Sequence, residues 1–152
     1  MIRQLGPGDD TLFAGMLDVF GEAFDDRDTY GKARPGPAYV ARLLAKDTFI
    51  AAVALDGERV VGGIAAYILE KYEQERSEAY IYDLAVLESH RRQGIATALI
   101  GLVQRVAGER GAWVVFVQAD HGDDPAVTLY TKLGVREDVM HFDLPVPAPS
   151  KP

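Results

Sequence analysis

The sequence contains no cysteine, which excludes a disulfide framework, a thiolate zinc site and a cysteinyl acyl intermediate. No apolar run approaches the roughly 18 to 20 residues that a membrane-spanning helix needs. The opening MIRQLGPGDD also lacks the basic start and apolar centre of a secretory leader. These absences predict a cytoplasmic chain with no membrane partner. Positive charge is scarce: 16 Lys and Arg stand against 23 Asp and Glu, for a net charge of -7. That balance disfavours a nucleic-acid partner and favours cationic or neutral ones. There is no internal repeat, and bias is confined to the tail 145–152, where prolines fill four of eight positions. What remains is 152 residues with 48% hydrophobic and 26% charged, the balance of one domain with one core. We therefore expect a single domain over 1–144 and a Pro-rich extended tail over 145–152.

Hydrophobic spacing then outlines the elements. Residues 1–5 read as a short strand, and Leu12, Met16, Phe20 and Phe24 recur every four residues, predicting one buried helix face. Asp9, Asp10 and Thr11 are its expected N-cap. Residues 25–37 carry too many turn formers and charges for a regular element, and a short helix over 37–46 should follow with Val40, Leu43 and Leu44 inward. TFIAAVAL, the turn pair Asp56-Gly57 and RVVGGIAAYIL predict a β-hairpin whose sheet is covered on both faces. In the next strand, EAYIYDLAVL, alternation puts Glu78, Tyr80 and Tyr82 on one face and Ala79, Ile81 and Asp83 on the other. A helix over 94–110, the strand AWVVFVQA, a helix from Asp124 to Leu133 and a final alternating strand, REDVMHFDL, complete the order βααβββαβαβ. The fold class expected is α/β in the α+β sense: a mixed, mostly antiparallel sheet with helices on both faces.

The junction HRRQGIATALI places Arg91-x-x-Gly94-x-Ala96 between a strand and an amphipathic helix. A helix start offers unpaired N–H groups and the positive end of the peptide dipoles, so a phosphate can bind there. Gly94 allows close backbone approach, and Arg91 and Arg92 add fixed positive charge to an acidic chain. After the next strand, HGDDPAVTLYTKLGV sets Ala126, Tyr130 and Gly134 four residues apart.

Together these two segments resemble the general N-acetyltransferase (GNAT) superfamily. There an Arg/Gln-x-x-Gly-x-Gly/Ala loop holds the pyrophosphate of acetyl-CoA, and a later helix brings a tyrosine beside the thioester sulfur. The sequence departs from that pattern at Ala96, where glycine is commoner, and at Asp123, where asparagine is usual. SEAYIYDLAV, HRRQGIATALI and QADHGDDPAVTLYTKLGVREDVMHFD, with TFIAAVAL and VVGGIAAYIL, are similar to one branch, the aminoglycoside 3-N-acetyltransferases of type I, over about Thr48 to Asp143. The resemblance implies transfer of acetyl to the 3-amino group of the deoxystreptamine ring of drugs such as gentamicin, without a covalent enzyme intermediate and without a metal. Members of the family are often dimers, so a homodimer involving the final strand is also implied.

Carried over residue by residue, the resemblance gives acetyl-CoA to Arg91, Arg92, Gln93, Gly94, Ile95, Ala96 and Thr97, with main-chain help from Leu84 and Val86. Tyr130 becomes the acid for the leaving thiolate, since its ordinary pKa near 10 suits a thiolate near 8.5. For the base, Asp83 stands inside an apolar strand where a carboxylate is costly without a partner or purpose. Glu78 and Asp120 are alternatives, and His90, His121 and His141 are weaker ones. A polycationic acceptor calls for carboxylates, and Asp120, Asp123, Asp124, Glu78 and Asp26 are the candidates. Asp123 either caps its helix or meets the substrate. Two other readings stay open: acetylation of another polyamine or a protein amine, and an acetyl-CoA-binding module without chemistry.

Overall fold

The computed structural model describes residues 1–150, so Lys151 and Pro152 of the expected tail lie outside the described residues. In chain order the elements are β1 (Ile2–Gln4), α1 (Asp10–Ala23), α2 (Arg27–Gly31), α3 (Pro37–Leu44), β2 (Phe49–Asp56), β3 (Arg59–Glu70), β4 (Ser77–Val86), a 3-10 turn (Glu88–His90), α4 (Ile95–Glu109), β5 (Ala112–Val117) and α5 (Asp124–Leu133). They fall into two compact units, residues 1–118 and a second that begins at Ala119.

The first unit is a five-stranded sheet in the order β1-β2-β3-β4-β5. The first three pairings are antiparallel and β4–β5 is parallel, as a mixed sheet requires. Its strands are apolar on both sides because a helix covers each face. On one face Met16 and Phe20 of α1 pack so close to Gly63 that a Cβ there would lie 2.6 Å from Met16 Cγ. On the other, Leu99, Val103 and Ala107 of α4 are fully buried, as are Ile64, Ala66 and Ala79 of the sheet.

The structure corrects three expectations. Asp9 occupies the N-cap position of α1 but makes no cap hydrogen bond. Its carboxylate instead accepts from the Gly6 N–H at 2.8 Å and from Arg3 at 2.7 Å. The segment 25–37 is not without structure: α2 forms inside it, because Asp26 accepts from the Thr29 N–H at 3.1 Å and Tyr30 packs its ring 5.7 Å from Phe20 and 5.9 Å from Phe24. The final strand is absent. Residues 135–150 carry neither helix nor strand, although Met140, Phe142, Leu144 and Val146 alternate with His141, Asp143 and Pro145. Alternation makes a strand only where another backbone supplies hydrogen bonds, and here these apolar side chains stand exposed.

Candidate active site

The site grows from an irregularity in β4. Against β3, Asp83 is paired with Ala65 and Tyr80 with Tyr67, but Ile81 is paired with Ala66, so Tyr82 is an extra residue. Directly opposed residues in an antiparallel pair share a face, and a bulge resets the alternation beyond it. Asp83 is therefore on the same face as Tyr80 and Tyr67, not with Ile81 as strict alternation predicted. That face is the one α1 covers at Gly63, and Asp83 lies just beyond the covered part.

There Asp83 is half-buried, and the Tyr30 hydroxyl of α2 donates to its Oδ2 at 2.9 Å. Burial pushes the Asp83 pKa up, while the Tyr30 bond pulls it down. Tyr30 itself is driven well above the ordinary tyrosine value by burial and then by its bond to the Asp83 carboxylate, so it stays a donor. A carboxylate held at one oxygen keeps the other free for a proton. The alternation and spacing arguments miss Tyr30, since it stands in a segment without periodicity and its partner is 53 residues away.

Beyond Asp83 the same face is aromatic. Tyr67 and Tyr82 meet edge to face at 5.8 Å, Tyr82 and Tyr80 lie 5.7 Å apart, and Tyr80 stacks on Phe116 of β5 at 4.7 Å. The Tyr80 hydroxyl donates to Gln118 at 2.9 Å. Of the acidic candidates, Glu78 faces Lys71 at 3.6 Å, and Asp26 is occupied as the α2 cap, a bond that lowers its pKa.

The other half of the first-unit site lies where β4 runs on past the end of β5. Their pairing ends at Ile81 and Val117, so Leu84 and Val86 are paired only with β3 and their outer edge is open to another chain of hydrogen-bonding groups. Arg91 Nε donates to the Val86 carbonyl at 3.3 Å. Arg92 and Gly94 both take left-handed backbone, with φ of 63° and 77°. For arginine this is strained, and strain of this kind clusters at functional loops. No atom lies within 4 Å of where a Gly94 Cβ would be, so the approach to α4 is clear. The N–H groups of Ile95, Ala96 and Thr97 open the helix, with no side chain capping them. Arg91, Arg92 and Gln93 are exposed beside them. Together, donors, dipole and guanidiniums fit a pyrophosphate, and the open β4 edge fits an amide-bearing arm, the two parts of a coenzyme A ester.

In the second unit, Asp123 Oδ1 accepts from the Ala126 N–H at 3.4 Å and caps α5. Of the two roles left open for Asp123, the cap is the one the geometry displays. Asp120, His121 and Asp124 are exposed. Tyr130 is half-buried on α5, and burial followed by the Asp123 charge raises its pKa, keeping the phenol protonated. Among the histidines, His90 is engaged with Asp56 at 2.9 Å and with Ser89 at 2.7 Å, and His141 with Asp143 at 2.8 Å. Among the described residues, no cluster of three His, Asp or Glu side chains could hold a metal ion, and no helix is long and apolar enough to cross a membrane.

A mixed sheet with an open strand edge beside a glycine-opened helix is an arrangement that suits a coenzyme A-dependent acyltransferase. Residues 16–135 match the acetyltransferase (GNAT) family, and the chain belongs to it. Among solved structures, the chain is similar to an aminoglycoside acetyltransferase from an uncultured soil metagenomic sample, at 55% identity and a TM-score of 0.93, over 96% of this chain and 97% of that one. A second soil-metagenome aminoglycoside acetyltransferase, crystallised with sisomicin, is 34% identical with a TM-score of 0.87, over 96% of this chain and 95% of that one. Among curated proteins, N-acetyltransferase 8B of Rattus norvegicus is 34% identical over 90 residues, covering 59% of this chain and 40% of its own length. N-alpha-acetyltransferase 30 of Schizosaccharomyces pombe is 32% identical over 85 residues, 54% of each. The chain thus spans about two fifths to one half of these curated relatives.

Proposed function

We propose that the chain is an acetyl-CoA-dependent aminoglycoside acetyltransferase acting on the 3-amino group of the deoxystreptamine ring, as type I enzymes do, and that it confers resistance to drugs such as gentamicin from the cytoplasm. The observation that carries this reading is the 55% identity along nearly the whole chain with an aminoglycoside acetyltransferase. The sisomicin complex of the second neighbour supports a polycationic amino sugar as acceptor.

In this reading Arg91 to Thr97 hold the pyrophosphate and the open edge at Leu84 and Val86 holds the pantetheine arm. The coenzyme, when bound, supplies an acetyl group activated as a thioester. An amino-sugar amine is mostly ammonium at neutral pH, so Asp83 accepts its proton, directly or through water. Tyr130 gives a proton to the sulfur as it leaves, which a neutral phenol can do. Asp120, Asp123, Asp124, Glu78 and Asp26 set a negative field that draws the cation in. The active form is a homodimer.

A protein or peptide amine is the second reading, favoured by the likeness to N-alpha-acetyltransferase 30. A thiol-release assay over aminoglycosides, simple polyamines and peptide amines, with mass spectrometry of the product, separates the two. Acetylation of gentamicin at the 3-amino group is expected. Faster acetylation of a peptide amine would replace the proposed acceptor and leave the family assignment intact.

A further inference from the structure

The row of rings beyond Asp83 has no role in the acetyl transfer described above. Tyr82 is 62% and Tyr67 41% exposed, yet both are fixed in place. Tyr67 packs 5.3 Å from Phe49, and Tyr82 is braced by Tyr67 and Tyr80, which itself rests flat on Phe116. Tyr67, Tyr80, Tyr82 and Phe116 come from three neighbouring strands, and the bulge at Tyr82 aligns them with Asp83 on one face. Braced, solvent-facing rings contiguous with a catalytic carboxylate are an occupant's surface rather than a core.

The chemistry of that occupant follows from charge. Tyr67, Tyr80, Tyr82, Asp83 and Phe116 include no basic side chain, and the formal charge they carry is the Asp83 carboxylate. Aromatic faces are negative and attract ammonium groups, and they also suit the C–H faces of sugar rings. The protein already uses this contact nearby, where the Arg42 guanidinium lies 5.2 Å from the ring centre of the exposed Tyr39. None of these five side chains would hold an anionic ligand.

We propose that Tyr67 and Tyr82 are a cation–π platform for the acceptor: a multiply charged amino sugar rests its non-reacting ammonium groups on their ring faces and turns the reacting amine toward Asp83. This deepens the acceptor assignment above and rests on it. Binding of this kind selects for charge number rather than for a pattern of sugar hydroxyls. It also places specificity on the sheet as well as on the acidic loops.

The test is calorimetric titration with sisomicin and with the singly charged glucosamine, on wild type and on Tyr67→Leu, Tyr82→Leu and the matching Phe variants, together with kinetics. Both side chains are exposed on a strand, so leucine is accommodated. Each Leu variant should weaken sisomicin binding about three- to thirtyfold, change glucosamine little and leave the KM for acetyl-CoA unaltered. The Phe variants, which keep the ring, should bind within about twofold of wild type. Sisomicin binding unchanged in both Leu variants overturns the platform while the acceptor reading stands. Equal loss in Phe and Leu variants also overturns it, since the hydroxyl and not the face would then be the contact. A Leu variant that turns a dimer into a monomer assigns the face to a second copy. Failure of wild type to bind or acetylate any amino sugar removes both the acceptor reading and the platform.

Discussion

Asp83 is subject to two opposed influences, burial that favours its neutral form and a phenol that favours its charged form. If Asp83 is the base proposed above, it works only while deprotonated, so activity should fall as pH drops through its pKa. Removing the Tyr30 hydroxyl removes the influence that holds this pKa down. Tyr30→Phe, whose ring still packs on Phe20 and Phe24, should move the acid limb of kcat/KM to higher pH. Asp83→Asn should abolish that limb together with most of the turnover. An unmoved limb in Tyr30→Phe would make the tyrosine a packing residue. At the proposed phosphate loop, Arg92→Ala should raise the KM for acetyl-CoA about tenfold to a hundredfold, as expected for a lost charge-assisted bond, with the amine KM nearly constant. Arg91→Ala should do less, since the Arg91 guanidinium is partly engaged by the Val86 carbonyl. Unaltered cofactor kinetics in both variants would move the pyrophosphate elsewhere.

Among the elements, β3 is packed closely at Gly63. Gly63 admits Met16 and Phe20 against the sheet, and both side chains are fully buried. Gly63→Ala should therefore cost about 1 to 3 kcal/mol through overpacking, read as a drop of several degrees in thermal unfolding. Gly101→Ala, with open space at its Cβ in the interior of α4, should instead stabilise by about 0.5 to 1 kcal/mol. In α5 the cap decides between two roles for Asp123. Asp123→Ala should lower stability by about 1 kcal/mol, whereas Asp123→Asn, which can also cap, should not. If both variants keep their stability and raise the KM for the acceptor, Asp123 belongs to the substrate and not to the helix.

At the scale of the molecule, the segment after α5 leaves Met140 82% and Phe142 73% exposed, and among the described residues β5 is the last strand of the sheet and pairs with β4 alone. Exposed alternating side chains and an open edge are complementary surfaces that a second copy can join. Sedimentation equilibrium at micromolar concentration should show a dimer, and the double substitution Met140→Glu with Phe142→Glu should shift it toward monomer. A wild-type monomer at those concentrations would remove the proposed homodimer. The net charge of -7 acts at the same scale. Binding of a polycation should weaken as salt rises, because exposed charges are screened over about 8 Å at physiological ionic strength.

Much was decided by local pattern alone. The fourfold spacing of Leu12, Met16 and Phe20 and the glycine that opens α4 are short-range signals that appear where predicted. Phe24, in contrast, falls just past the end of α1 and is exposed, and the hairpin turns at Gly57-Glu58, one residue beyond the expected pair, because Asp56 still pairs with Arg59. The glycine-opened start of α4 was legible because helix N-termini and left-handed glycines are properties of consecutive residues. Three features were not. The side of the sheet on which Asp83 lies depends on the extra residue at Tyr82, which exists only relative to β3. The Tyr30 partner of Asp83 depends on a short helix held by tertiary packing against α1. Whether residues 136–144 form a strand depends on a backbone that offers them hydrogen bonds, since side-chain alternation states which face would be buried and not what will bury it.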